Sequence, residues 1–517
     1  MSLIKNILAG KSVPKEARQA ALDRIYQSPG VPKTKETTTS FWLREPHPSV
    51  AKVQSTTFPS SADIAILGSG ITALSVAWTI LQTSKEQATD PPSVVILEAR
   101  DCCSGATGRN GGHLLETALE YLELKEAVGL EAARKITKFR LAHLTDIEAL
   151  LLSRPELRLH CQFRQIQYVS VYFDNQSFQD ALESLNAFRK DMPKESEEIF
   201  IYKNSDKNQE FQLSQHAVGA ITGPAGAVWP YRFVTSLLDE LQRDFPLSFR
   251  VETNTPVEEI TRAMDPSSTK ESHPYSISTP RGILHARQVV HCTNGYVSHL
   301  VPGFRGRVVP VRGQMSAQGA GQTFKNQAYK HSWVFNYKEG FDYLTQLPST
   351  KEDLHSNGEM MLGGGLAASR GYGIEEIGVS SDNKIDLYVD IHLSGTLSAV
   401  FGRKHWGHSS GVKNMWTGIM GFSSDGYPWV GQLPPSFTGR RGEKDALAAE
   451  WAAVGFSGEG MVHAWLSGKA IGIMLLVQEQ ILPEQANTGM QEWLPDQFCI
   501  TEARVLKSPL PRELSSL

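Results

Sequence analysis

Two short stretches gather groups that bind anions and rings. The first, Gly68-Ser69-Gly70-Ile71-Thr72-Ala73, is a GxGxxG/A string that follows the apolar run Ala62–Leu67 and opens a segment of helical apolar spacing. The first glycine permits a tight turn, and the second lets backbone approach a pyrophosphate at a helix amino terminus. The small third residue allows helix and strand to pack closely. The second stretch runs Gly105-Ala106-Thr107-Gly108-Arg109-Asn110-Gly111-Gly112-His113. Its four glycines stand beside a hydroxyl, a guanidinium, an amide and an imidazole, with no large aliphatic group to bury.

Between them lies Glu98, followed by Ala99 and Arg100, where a carboxylate ending a strand can accept from ribose hydroxyls. It falls 98 − 68 = 30 residues after Gly68, against about 20 in the usual spacing. The polar insertion 83–93 accounts for the excess. The fingerprint alone fits NAD or FAD, and a glycine turn without a nucleotide is the plain alternative. The second stretch leans toward a flavin: leaving the second strand, it must run along the dinucleotide toward its reactive end. Thr107 and Asn110 can donate there, and Arg109 can neutralise pyrophosphate charge.

These residues need a βαβ unit to hold them, and "ADIAILGSG", "ITALSVAWTILQ" and "SVVILEAR" read as one. Downstream, helical patterns at about 130–152, 176–190, 232–243 and 459–478 are interspersed with short strand runs, without a fixed-period repeat. The expected fold is α/β with mixed α+β character, a Rossmann-like FAD-binding domain interleaved with an antiparallel-sheet substrate domain. The expected division is an amino-terminal extended arm (1–60), FAD-binding segments (61–159, 216–304, 411–480), substrate segments (160–215, 305–410) and a carboxyl-terminal tail (481–517).

"ADIAILGSGITALSVAW", "VVILEAR" and "CSGATGRNGGH" together resemble the FAD-dependent oxidoreductases of the D-amino-acid oxidase superfamily. "SFWL" and "GRNGG" are most similar to the γ-glutamylputrescine oxidase-like and glycine–sarcosine oxidase branch. The resemblance covers about residues 40–480, and within the substrate domain only the general pattern matches. It implies an adenine-side backbone contact at Val257 in "TPVEEI", and a strand returning to the dinucleotide at Thr293-Asn294-Gly295, where relatives often have Ala-Ala-Gly. It further implies flavin-side segments 417–431, with Asp425, and 454–472, with Gly458, Glu459, Gly460 and Met461. Relatives commonly carry His where this chain has Glu459, so that carboxylate either meets the substrate amine or caps its helix. His113 is either a hydrogen-bonding neighbour of the ring or a covalent attachment point.

For the substrate, Tyr343, His405 and Trp406 are the expected contacts, with Glu459 beside them, while Arg370 and Lys404 read as solvated charges. The resemblance implies that hydride passes from the α C–H of a neutral amine or amino acid to flavin N5. The imine then hydrolyses and O₂ takes up the electrons as H₂O₂. The alternatives are a flavin dehydrogenase with another acceptor and a flavin-binding protein without turnover; an NAD-dependent dehydrogenase fits the second stretch less well.

Composition sets outer limits. The 517 residues exceed the size at which one core stops growing. With 51 Lys+Arg against 55 Asp+Glu, nothing directs the chain to nucleic acid. The five cysteines lack metal-ligand spacing and point to a reducing compartment. No signal peptide or membrane span is expected, so the chain reads as cytoplasmic. The closing Ser-Ser-Leu lacks the basic middle residue of a peroxisomal address.

Overall fold

The structure, a computed structural model, describes residues 3–10, 13–203, 209–263, 273–349, 358–409, 411–440 and 448–516. The final leucine of the Ser-Ser-Leu ending lies outside them. Strand β1 (Ser61–Leu67) is buried from Ile64 onward, as its apolar run Ile-Ala-Ile-Leu suits a strand covered on both faces. It pairs in parallel with β2 (Val94–Leu97) on one side and β10 (Gly282–His291) on the other. The chain turns at Gly68, whose φ of 99° suits glycine, and a Cβ there would lie 2.9 Å from the Cys292 carbonyl oxygen. Helix Ile71–Glu86 follows with Gly70 as its N-cap. The expected βαβ unit is therefore in place.

The first sheet extends to β7 (Phe249–Glu252) beyond β2, and through β17 (Ala449–Val454) to β16 (Trp429–Gln432) beyond β10. A ribbon of β8 (Glu259–Arg262) and β9 (Tyr275–Thr279) hangs from β10. The second sheet is mostly antiparallel. It begins with β15 (Val412–Ser423), β11 (Val308–Gly319), β14 (Glu359–Gly364), β13 (Phe341–Gln346) and β12 (His331–Asn336). It continues through β4 (Arg164–Tyr172) and β6 (Gly219–Ala227) to β3 (His113–Leu114), with β5 (Phe200–Lys203) on β6.

The mixed two-sheet architecture matches expectation, but several boundaries shift. Strands β6 and β15, expected within dinucleotide-binding segments 216–304 and 411–480, hydrogen-bond inside the second sheet. The arm is not wholly extended, because helices Leu3–Ala9 and Lys15–Tyr26 precede the irregular stretch. Nor is 481–517 a loose tail: Met490, Leu494 and Phe498 are buried in the principal core.

Side-chain alternation gives the second sheet two distinct faces. Met315 and Met361, with Tyr343 against them, join the core shared with the dinucleotide side. The alternate residues Trp333, Phe335, Leu344, Met360 and Leu362 pack instead against helix Leu387–Trp406. The helices of the first domain also lie close: Cβ atoms on Gly468 and Gly472 would come 2.6 Å from the Thr72 carbonyl oxygen and Thr79 Cβ. Helix Ala464–Gln478 thus crosses tightly on Ile71–Glu86, bringing the Gly-rich entry to one near the start of the other.

Candidate active site

The start of helix Ile71–Glu86 is built as an anion cradle. Ile71 N donates to Thr107 Oγ1 at 3.1 Å, and a Cβ on Gly70 would come 2.8 Å from that oxygen. Glu98 is fixed on both oxygens: Ser69 N and Oγ donate to Oε2 at 3.1 and 2.6 Å, and Arg100 N to Oε1 at 2.9 Å. The carboxylate so held is next to the glycine turn, as its place after β2 predicts. Thr255 N donates to the Glu98 carbonyl at 2.8 Å, which brings the 255–257 segment alongside. Val257 is buried there in the irregular connection before β8 rather than in a strand.

The loop Gly105–His113 folds over this cradle, to which Thr107 contributes its hydroxyl, while Arg109 and Asn110 are held by partners within the protein. Arg109 is buried, its Nε donating to the Ser104 carbonyl at 2.8 Å and its Nη1 to the Thr417 carbonyl at 2.7 Å. Asp382 lies 2.8 Å from Arg100 Nη1 and 3.4 Å from Arg109 Nε, so one buried carboxylate serves two guanidiniums. Arg109 therefore braces the loop from behind instead of meeting phosphate. Asn110 likewise turns inward: its amide donates to the Ala106 and Thr107 carbonyls, and its Oδ1 accepts from Gly112 N at 2.7 Å. Ala106 begins the single turn that this requires.

His113 closes the loop on β3, its Nε2 2.7 Å from Ser332 Oγ. Burial pushes its imidazole down to about 3, so it is neutral near pH 7. Opposite the loop stands Tyr343: a Cβ on Gly111 would meet its ring at 2.6 Å, and its hydroxyl donates to Met315 Sδ at 3.2 Å. Burial pushes the phenol up to about 12, which keeps it uncharged.

From the third side come Thr293-Asn294-Gly295 and Gly458–Met461. Asn294 Oδ1 accepts from Gly455 N at 2.9 Å, tying the two segments, while Thr293 Oγ1 is buried without a partner. Met461 Sδ lies 3.5 Å from Asn110 Nδ2, and a Cβ on Gly460 would meet only open space. Glu459 does not cap its helix. It forms an ion pair with Arg140 Nη2 at 3.0 Å, and Arg140 also meets Glu116 at 3.5 Å and His463 Nε2 at 3.2 Å. Burial raises the Glu116 carboxyl against the opposing pull of Arg140, and the Glu459 charge together with burial raises Glu120. Glu116, Glu120 and Arg140 belong to no motif, and nothing in the sequence singles them out.

Two expected substrate contacts are placed elsewhere. Trp406 is buried at the end of helix Leu387–Trp406, stacked on Phe401 with centroids 5.6 Å apart, and His405 is beside it. Both lie on the face of the second sheet opposite Tyr343 and Met315, so the sheet itself separates them from the loop. Lys404 is exposed, and Arg370 stacks over Tyr388 on the same far side. Asp425 is also committed: Arg504 donates to both its oxygens at 2.9 and 3.0 Å, and Ser423 Oγ at 2.6 Å.

A family model described as FAD dependent oxidoreductase matches residues 63–472, well over half of the chain. The chain belongs to the FAD-dependent oxidoreductase family. No curated protein matches it significantly in sequence. Among solved structures, the fold is similar to glycine oxidase from Geobacillus kaustophilus, with a TM-score of 0.61 and 16% identity over 86% of this chain and 99% of that one. L-proline dehydrogenase from P. horikoshii gives 0.56 and 17% over 85% and 98%. L-amino acid deaminase from Proteus vulgaris gives 0.57 and 13% over 84% and 96%.

The residues present fit FAD. A family oxidoreductase needs room for a pyrophosphate at a helix start, donors along a dinucleotide and a ring-sized gap beyond. The Gly70–Thr107 cradle answers the first need and the buried, unpartnered Thr293 hydroxyl offers a donor, while a Cβ on Gly460 would meet nothing. Among the described residues no helix is long and apolar enough to cross a membrane, and no His/Cys/Asp/Glu group is placed to hold a metal ion. The five cysteines are free thiols.

Proposed function

We propose that the chain oxidises the C–N bond of a small amine or amino acid, with O₂ as electron acceptor and an imine and H₂O₂ as products. FAD, when bound, supplies a two-electron acceptor for the hydride of the substrate α C–H. Gly68–Ala73, Glu98, the inner backbone of Gly105–Gly112, Thr293 and Gly458–Met461 are the residues to hold it. The observation that carries this reading is the glycine turn and helix start at Gly70, with Thr107 on the Ile71 N–H and the Glu98 carboxylate held beside it. Beyond it the neutral ring of Tyr343, with Met315 behind, packs directly on the Gly111 backbone.

A neutral aromatic surface orients an apolar carbon without presenting a charge to it. Tyr343 orients the substrate from the sheet side and stays protonated while it does so. Glu459, held by Arg140, supports a role at the amine end. Glycine oxidase and L-proline dehydrogenase, which share the fold, are named for substrates that carry nitrogen on the carbon to be oxidised.

The test is anaerobic titration of the yellow holoprotein with a panel of amines and amino acids, followed by admission of air. Bleaching by one member and stoichiometric H₂O₂ on reoxidation are expected. Bleaching without peroxide would move the acceptor from O₂ to a quinone or protein. No bleaching across the panel would overturn the proposal.

A further inference from the structure

Four successive backbone carbonyls of the cofactor loop each accept a hydrogen bond from a side chain outside the loop, two on the amino-terminal arm and one each on β15 and β13. Gly108 O accepts from Ser40 Oγ at 2.7 Å, and Arg109 O from Trp416 Nε1 at 2.9 Å. Asn110 O accepts from Trp42 Nε1 at 2.5 Å, and Gly111 O from Thr345 Oγ1 at 2.7 Å. A loop outside helix and sheet has no ladder to take up its carbonyls. Turned inward, they would aim lone pairs at the cleft that receives an anionic dinucleotide. The four donors settle which way these peptide planes face.

Two of those donors come from the amino-terminal arm, before the first residue that the family model matches. The arm is built to deliver them. Ser40 and Trp42 are fully buried, and Trp42 packs edge-on to Trp229 with centroids 5.1 Å apart. Trp229 Nε1 in turn donates to the Trp42 carbonyl at 3.1 Å. Thr38 Oγ1 accepts from Arg109 Nη1 at 3.2 Å, and Thr38 N donates to the Asp382 carbonyl at 2.9 Å. Leu43 closes on Gly108, where a Cβ would stand 3.1 Å from Leu43 Cδ2.

We propose that Ser40 and Trp42 are positioning residues for FAD, and that docking of the arm and binding of the cofactor are reciprocally coupled. By linkage, whatever the docked arm adds to FAD affinity, bound FAD returns to arm docking. The variants are Trp42→Phe, which keeps the ring and removes the donor, Ser40→Ala, and Phe41→Leu as a packing control in the same aromatic group. Apoprotein from a riboflavin-starved host is titrated with FAD by quenching of flavin fluorescence.

Trp42→Phe is expected to raise Kd roughly tenfold and Ser40→Ala roughly fivefold, about the worth of one buried hydrogen bond. Phe41→Leu is expected to lower the melting temperature and leave Kd within about twofold of wild type. Wild-type Kd in both donor variants would overturn the proposal. The wild-type chain gives a second arm that no folding defect obscures: trypsin cleavage at the exposed Lys33 and Lys35 in apoprotein and in FAD-saturated protein. Slower cleavage with FAD is expected, and equal rates would equally overturn the coupling.

Discussion

At Asp382, one carboxylate with 4% of its side-chain surface exposed balances Arg100 and Arg109. Asp382→Asn leaves two buried guanidiniums without a counter-charge, and a loss of about 3–5 kcal/mol is expected in denaturant unfolding. Glu116 offers a pH test. Its folded carboxyl is raised, so its neutral form favours the fold below the ordinary carboxylate range. That contribution is lost as pH climbs from there through the raised value. Glu116→Gln has no such dependence: its melting temperature should match wild type near pH 5 and exceed it near pH 9. Equal profiles would mean that Glu116 is ionised throughout. Place in the sequence was enough to expect Glu98 beside the glycine turn, where the structure has it, because a carboxylate directly after the second strand is carried there by the βαβ connection. Residue types misplaced His405 and Trp406, which end a helix, because the sheet face that a helix covers is set by the chain's topology and leaves no mark in the local sequence.

Among the elements, the glycine turn and the helix after it were legible because each local signal agreed with the next: buried strand, positive-φ glycine, open N-cap, helical spacing. Gly70→Ala tests the cradle. The added Cβ must displace Thr107 Oγ1 from the Ile71 N–H, and FAD affinity should fall roughly tenfold (about 1.4 kcal/mol) in a fluorescence titration while the far-UV spectrum is unchanged. Domain boundaries were less legible. β15 includes the start of the segment expected on the flavin side, yet it pairs along its length with β11, so a motif-based division places it in one domain and its hydrogen bonds place it in the other. Arg140 and Glu116 escaped notice for a related reason. They come from a helix and a loop whose amphipathic pattern is satisfied without them, and only tertiary packing brings them to Glu459.

Across the whole molecule, both chain ends are structural. Phe498 packs edge-on to Phe139 at 5.2 Å, and Arg504 reaches back to Asp425. Phe498→Ala should cost about 3–5 kcal/mol, read as a lower unfolding midpoint with an unchanged flavin spectrum. The proline- and serine-rich composition of the arm correctly foretold its irregular stretch. It gave no sign that the stretch ends in buried donors, because a hydrogen bond across 68 residues leaves no local periodicity. The same interleaving fixes an order of events during synthesis. The loop leaves the ribosome early, yet the indole that caps Arg109 O follows 307 residues later. At typical elongation rates that is about 15–60 s. The nascent chain therefore carries this loop without its full set of caps until residue 416 has emerged.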